Sequence, residues 1–266
     1  MSSLDDKLAT AKAKVPDTYN AGKTCKDLND FSYFFFRDAR IHEMLENIKT
    51  NNGTNFRSMF SDCKSLTTIP QLDTSNGLNF ASMFGNNSII KTIPQLDTSN
   101  GLNFAAMFTG CKSLTAIPQL DTSNNSDFNY MFSECAKLTT IPQLDTSNGT
   151  DFHNMFENCS KLTSIPLLNT ANGRNFNNMF KGCTELTNVS FTIIKASISF
   201  KDCPKLDAFT LRGIVNALEV KTIVSSSYKL TLNATSWDLL ENDSAPPTGY
   251  STWKEYITNY KKWTYA

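Results

Sequence analysis

The chain has 266 residues, and its 25 Lys+Arg balance 25 Asp+Glu. It therefore lacks the basic field that gathers nucleic acid or anionic lipid. No segment approaches the roughly 20 consecutive apolar residues of a membrane span, so neither nucleic-acid binding nor membrane insertion is expected. Met1 to Pro16 lacks the apolar run of a signal peptide, and the closing KKWTYA is no sorting or lipidation signal. A role outside the cell is thus expected to involve another route, such as lysis or assembly into a particle.

Leu4, Leu8, Ala11 and Val15 stand at helical spacing among charged residues and predict a short amphipathic helix ending before Pro16. It serves either as a cap docked on the first coil or as an oligomerisation or attachment helix, and Asp17 to Lys26 reads as a polar connector. Asp30 to Phe35 matches Asn55 to Phe60, and Lys49 to Gly53 matches Asp73 to Gly77, which predicts a first, degenerate coil one residue longer than the rest. Between these anchors Ile41-His42-Glu43-Met44 breaks the pattern, as terminal repeats do.

From there one line of text recurs. Met-Phe falls at Met59-Phe60, Met83-Phe84, Met107-Phe108, Met131-Phe132, Met155-Phe156 and Met179-Phe180, always 24 residues apart. A fixed period in this range is the signature of a solenoid built of leucine-rich-repeat-like coils. Phe56, Met59, Phe60 and Cys63 stand at i, i+3, i+4 and i+7 and predict a short helix. Leu66, Ile69 and Leu72, with Pro70 among them, predict a brief extended segment. The Asp73-Thr74-Ser75-Asn76-Gly77 turn is expected to cap the next helix, with Gly77, Gly101, Gly149 and Gly173 at positive φ and Asn125 tolerating the same conformation. The expected fold is an α/β solenoid, a leucine-rich-repeat-like right-handed coil of 24-residue repeats with one short strand and one short helix per coil and terminal caps. Residues 1–29 form the N-terminal helix and connector, 30–207 the solenoid and 208–266 a C-terminal α/β cap. Within that cap the pattern predicts a helix over Leu211 to Leu218, a strand over Tyr228 to Leu232, helical pieces over Trp237 to Leu240 and Trp253 to Tyr260, and a final extended segment over Trp263 to Tyr265.

Six of the seven cysteines (Cys63, Cys111, Cys135, Cys159, Cys183, Cys203) sit three residues after a phenylalanine, and Asn87 takes that place once. The slot reads as a small, semi-polar group at a bend. Side chains in register point the same way, which suits buried free thiols better than disulfides.

The acidic ladder of Asp73, Asp97, Asp121 and Asp145 reads as turn capping or, more sharply, as a calcium site. His42 and His153 have no repeated partner, and no P-loop, dinucleotide glycine motif, Cys-x-x-Cys or nucleophile elbow occurs. No catalytic, cofactor-binding or metal residue is assigned, and no enzyme is expected. Between copies the core barely changes, whereas Asn129-Tyr130, His153-Asn154 and their counterparts vary, forming an outward stripe. On the strand side Thr67, Lys91, Thr115 and Thr139, with Gln71, Gln95, Gln119 and Gln143, form a hydroxyl-and-amide ladder. It could hydrogen-bond a glycan or a partner backbone, or simply be a solvent-facing strand surface. Ice binding is a weaker rival, because Lys91 and the prolines interrupt its flatness.

The unit M-F-x-x-C-x-x-L-T-x-I-P-Q-L-D-T-S-N resembles the BspA-like, DUF285-type leucine-rich repeats of bacterial surface proteins and of phage or prophage tail-associated proteins. The resemblance covers about residues 30 to 207. The tail from Leu211 looks like the terminal cap seen after such repeats, and the opening from Lys7 to Lys23 resembles the start of leucine-rich proteins from phages of gut bacteria. The resemblance implies a non-enzymatic binding module, placed in a virion (a phage tail) or at an extracellular surface. Its expected partners are a host surface glycan or protein and other virion or tail proteins. A structural virion decoration protein and a cell-surface adhesin exported by an unrecognised route are the alternatives.

Overall fold

In the computed structural model residues 29–37, 48–222, 224–243 and 245–266 are described. The helix expected over residues 4–15, the connector through 26, Cys25, and the break around His42 lie outside them.

The coils stack in register. Phe35, Phe60, Phe84, Phe108, Phe132, Phe156, Phe180 and Phe200 make one column of near-parallel rings, with neighbouring centroids 4.9–6.0 Å apart. A second column runs Phe31, Phe56, Phe80, Phe104 and resumes at Phe128, Phe152, Phe176. These rings, the methionines and the leucines belong to one hydrophobic cluster that continues to Trp263. A buried Phe, Met or Leu side chain contributes about 1.5–3 kcal/mol, against about 1–2 kcal/mol per residue for ordering the backbone. A lone coil leaves both ring faces in water, so stacking is what makes the array stable.

The predicted helix over Phe56 to Cys63 is instead a run of turns. The N–H groups of Phe56, Ser58, Phe60 and Asp62 donate to the carbonyls of Asn79, Ala81, Met83 and Gly85 in the next coil, at 2.8–2.9 Å. Those of Met59 and Ser61 close turns on Phe56 and Ser58, at 3.1 Å. A helix would direct every one of these donors four residues back along its own chain. Two residues per coil hold left-handed φ: Ser58, Ser82, Ala106, Tyr130, Asn154 and Asn178 in one column, and Asp62, Asn86, Gly110, Glu134, Asn158 and Gly182 in the other. That conformation stops a right-handed helix, yet leaves positions i, i+3, i+4 and i+7 facing inward, which is why the apolar spacing imitates one.

The extended segment forms regular strands only late in the array. β1 (Ser164–Leu168) pairs in parallel with β2 (Asn188–Phe191), and Thr140 bridges Ser164 one coil earlier.

The glycines after D-T-S-N are not at positive φ; among the described glycines only Gly110, Gly182 and Gly249 are. They are glycines because the phenylalanine three residues on lies against them: a Cβ on Gly101 would meet Phe104 Cζ at 2.3 Å and the Thr98 carbonyl at 3.0 Å. Asn125 occupies that place in one coil, fully buried, and there two of the links between coils are missing while Phe108 still stacks on Phe132. Among the described residues no stacked pair joins Phe104 to Phe128 and no bridge joins Asn103 to Asp127, although both links exist in the coils on either side.

The Asp of the turn does not cap a helix either, since none comes after it. Asp97 Oδ1 accepts from the Ser99 N–H and hydroxyl at 3.1 and 2.7 Å. The Thr is buried, and its hydroxyl donates across the stack: Thr74 to the Asp97 carbonyl at 2.8 Å and Thr122 to the Asp145 carbonyl at 2.7 Å.

The cysteine slot has a chemical rationale. The Cys111, Cys135, Cys159 and Cys183 thiols donate to the Phe84, Phe108, Phe132 and Phe156 carbonyls of the preceding coil at 3.0–3.1 Å. Asn87 Nδ2 does the same for Phe60 at 2.9 Å. All six described cysteines are free and buried, and burial pushes the Cys111 and Cys159 thiols up to about 12.

Beyond the last coil the chain keeps adding to the stack. β3 (Ile198–Phe200), β4 (Ser225–Leu232) and β5 (Trp263–Tyr265) form a parallel sheet in that order. α1 (Ala208–Ala217) is N-capped by Asp207, which accepts from the Thr210 N–H at 2.7 Å. α2 (Ala234–Asp243) comes after β4, and α3 (Trp253–Glu255) runs into the π-helical turn Tyr256–Tyr260. The helices and strands expected here are all present. Trp237, Trp253 and Trp263 are buried. Lys261 Nζ donates to the Asn216 and Leu218 carbonyls at 2.9 and 2.7 Å, a cation at the C-terminal end of α1 where the helix dipole favours it.

The slot chemistry can be tested in two ways. Asn87 Oδ1 is buried without a partner, an omission that costs about 1–3 kcal/mol. Asn87→Cys keeps a donor for Phe60 and is expected to raise stability by about 1 kcal/mol in urea denaturation; a loss of stability would contradict the assignment. The six buried thiols, shielded from solvent, are expected to resist maleimide labelling at about pH 8 until the chain unfolds.

Candidate functional site

Thr67, Gln71, Lys91, Gln95, Thr115, Gln119, Thr139 and Gln143 are all exposed along one side of the stack. Their amide donors are nevertheless engaged. Gln71, Gln95, Gln119 and Gln143 Nε2 donate to the main-chain carbonyls of Gln95, Gln119, Gln143 and Leu167 in the next coil at 2.7–2.8 Å. Each donates also to the carbonyl of the leucine next in the chain, at 2.9–3.2 Å. The Thr115 hydroxyl donates back to the Lys91 carbonyl at 3.4 Å and that of Thr163 to the Thr139 carbonyl at 3.2 Å. The ladder thus ties coil to coil, and its glutamines offer a ligand their amide oxygens alone, beside the exposed threonine hydroxyls and the Lys91 ammonium.

Tyr130 and His153 lie apart from that ladder, on the turn side, and are brought together there. Their rings meet edge to face with centroids 4.9 Å apart, and the Tyr130 N–H donates to the His153 carbonyl at 3.0 Å. His153 Nδ1 lies 2.7 Å from Asp151 Oδ1, which also accepts the His153 N–H at 3.0 Å. Tyr130 is 38% exposed and sits at φ 54°. The equivalent residues are Ser, Ala or Asn in the other regular coils, of which Asn tolerates that region best, and Tyr33 at φ 59° in the first coil. A bulky aromatic held there is strained, and such strain clusters at functional positions.

Beside this pair Lys181 Nζ lies 2.7 Å from Glu157 Oε1, and the Asn154 amide donates to the other Glu157 oxygen. Partial burial acts to raise the Glu157 carboxyl, but the Lys181 and Asn154 hydrogen bonds and the Lys181 charge together hold it below the usual range. The same hydrogen bond, then the Glu157 charge, raises Lys181. The patch therefore presents an aromatic edge, an imidazole fixed by a carboxylate, and an ion pair. The sequence points to Tyr130 and His153 through their variability; Asp151, Glu157 and Lys181 become visible only once adjacent coils are superposed.

Among the described residues no three His, Cys, Asp or Glu come together as a metal site, and no helix is long and apolar enough to cross a membrane. The Asp73, Asp97, Asp121 and Asp145 carboxylates each accept from the serine two residues on.

Comparison with known proteins gives a family and similar solved structures. The family described as Mycoplasma protein of unknown function, DUF285, matches residues 23–116 and 78–192. No curated protein matches. Among solved structures, a leucine-rich repeat protein from Bacteroides ovatus is similar at 14% identity and a TM-score of 0.28, covering 70% of this chain and 72% of that one.

The carboxylates predict the response to acid. The Ser99 hydroxyl and then its N–H lower Asp97, and the Ser147 hydroxyl and then its N–H lower Asp145. A carboxylate lowered in the folded state stabilises fully above the ordinary value of about 4 and loses that contribution as pH falls through its folded value. The thermal midpoint is expected to hold between about pH 8 and 5 and to fall below about pH 4. Asp145→Asn should make that fall shallower; an unchanged profile would show that the turn carboxylates do not couple to folding.

Proposed function

The chain belongs to the DUF285 family, the matched stretches running together from residue 23 to residue 192, and from that premise we propose that it is a non-enzymatic binding module. In this reading it is a phage or prophage tail or virion-associated protein that contacts a host-surface glycan or protein. The repeat array presents the contact surface, and other virion or tail proteins hold its ends.

The supporting observation is the strained, exposed Tyr130 packed on His153 in a column where the other regular coils carry small or amide side chains and the degenerate first coil carries Tyr33. A solenoid whose coils are tied by ring stacks and main-chain bonds is rigid, so a side chain displayed on it binds without ordering a loop. Aromatic anchors in such settings carry a disproportionate share of binding energy.

A second reading, a structural decoration protein with no receptor, draws on the strand-side ladder, whose glutamine donors are spent within the chain. An adhesin displayed on a bacterial surface would use the same Tyr130 patch.

Purified protein applied to host cells and to a glycan array decides between binding and decoration. Saturable binding is expected, with Tyr130→Asn, the residue found at the next two coils, weakening it about 30-fold or more, equivalent to about 2 kcal/mol. Thr115→Ala should leave it unchanged. Absence of binding at micromolar protein would favour the decoration reading, and immunogold labelling of tails against cell walls separates virion from adhesin.

A further inference from the structure

A concave feature arises where the repeat ends. Phe180 and Phe200 stack although only 20 residues separate them, against 24 in the regular coils and 25 in the first. The Thr192 N–H still donates to the Leu168 carbonyl at 3.1 Å, and the Thr170 hydroxyl still donates to the Ile193 carbonyl. Cross-coil bonding therefore continues to Ile193 in spite of a bulge between Ile165 and Leu168, and the four missing residues fall between Ile193 and Phe200. The turn at 171–174 consequently has no full turn stacked over it, and a groove of about 320 Å³ remains, lined by Ala171, Asn172, Gly173, Arg174, Lys195 and Ala196.

Its charge differs from the four turns before it. Those turns, from Asp73, Asp97, Asp121 and Asp145, read Asp-Thr-Ser-Asn, with the carboxylate bonded to the serine; this one reads Asn169-Thr170-Ala171-Asn172, and like the first turn, Lys49-Thr50-Asn51-Asn52, it carries no carboxylate. Both the anion and its hydroxyl partner are gone. At the place of Leu78, Leu102, Ser126 and Thr150 stands Arg174. Arg174 is exposed and Lys195 half-buried, and neither has an ion-pair partner among the described residues. Lys221, by contrast, is taken up by Glu219 and by the Lys195 carbonyl.

The rim is also fixed in place. A Cβ on Gly173 would meet Phe176 Cζ at 2.3 Å, so that turn lies directly on a core ring. Asn172 Nδ2 donates to the Ser147 carbonyl at 2.8 Å, and the Arg174 N–H to the Thr150 carbonyl at 2.9 Å. Two cations without an ion-pair partner among the described residues, on a rigid groove with no aromatic lining and at the lower end of the size range of small-molecule sites, suit one chemistry. We propose that this groove binds an oxyanion, a carboxylate or a phosphate ester borne on a sugar-sized group, with the Arg174 guanidinium gripping the oxyanion and Lys195 supplying the second charge. Arginine matches the two oxygens of such groups with parallel donors, and no stacking platform is present that would recognise a neutral sugar. The site is separate from the Tyr130 patch and does not depend on it.

Calorimetric titration of the full chain with glucuronate, glucose 1-phosphate and glucose at low salt is the test. Either anion is expected to bind at least ten-fold more tightly than glucose, and the stronger of the two identifies a carboxylate or a phosphate source. Arg174→Ala and Lys195→Ala should each weaken that binding about ten-fold, the double variant should abolish it, and added salt should weaken it in wild type. Tyr130→Asn should leave it intact. Glucose binding equal to the anions, anion binding unchanged in the double variant, or no anion binding at all would each overturn the assignment. Both substituted positions are at the surface, and matching thermal midpoints check that the variants fold.

Discussion

The fold depends on registry between equivalent atoms one coil apart. A backbone donor at position n finds its acceptor in the next coil, as Phe56 does at Asn79 and Phe60 at Met83, and the ring at n lies flat on the ring at n+24. A buried amide without an acceptor costs about as much as the hydrogen bond it lacks. A single insertion would displace a whole row of such bonds together, and that is the constraint which keeps the period at 24 residues across six Met-Phe pairs.

The same constraint explains the polar residues. Thr74, Gln95, Cys111 and Asn87 look unrelated by chemistry, yet each donates to a main-chain carbonyl of an adjacent coil. In a stack with little regular sheet, side chains supply the cross-coil bonds that strand pairing would otherwise provide. Residues that repeat are therefore largely committed to holding the stack. Those that break the repeat, Tyr130 and His153 in mid-array and Arg174 and Lys195 at its end, are the ones left to face something else.

Local departures from the repeat are informative for the same reason. Asn125 fills the space that Gly101 leaves for a ring, and the Phe104–Phe128 stack is lost there. Four residues missing between Ile193 and Phe200 open a groove rather than a gap in the core, because Phe180 and Phe200 still close on each other. The stack then continues through β3, β4 and β5, so that the C-terminal segment extends the array in parallel and its three tryptophans close the core.

Much of this is legible in the sequence. The period, the identity of the buried residues, the free thiols in a bend slot and the helices and strands after residue 208 come from spacing, because burial must recur wherever stacking does. Tyr130 and His153 stand out as variable against an otherwise fixed line. The course of the backbone between inward residues is not legible in the same way. Phe56, Met59, Phe60 and Cys63 satisfy a helical period and a run of turns with left-handed Ser58 and Asp62 equally well, and only the acceptors supplied by the next coil choose between them. The glycines of the turn invite a conformational reading although their role is steric, since the ring that excludes a Cβ lies three residues away and its placement depends on the stack. Sequence by itself determined what is buried and how often; tertiary structure decided where each donor points, because its partner lies a full coil away.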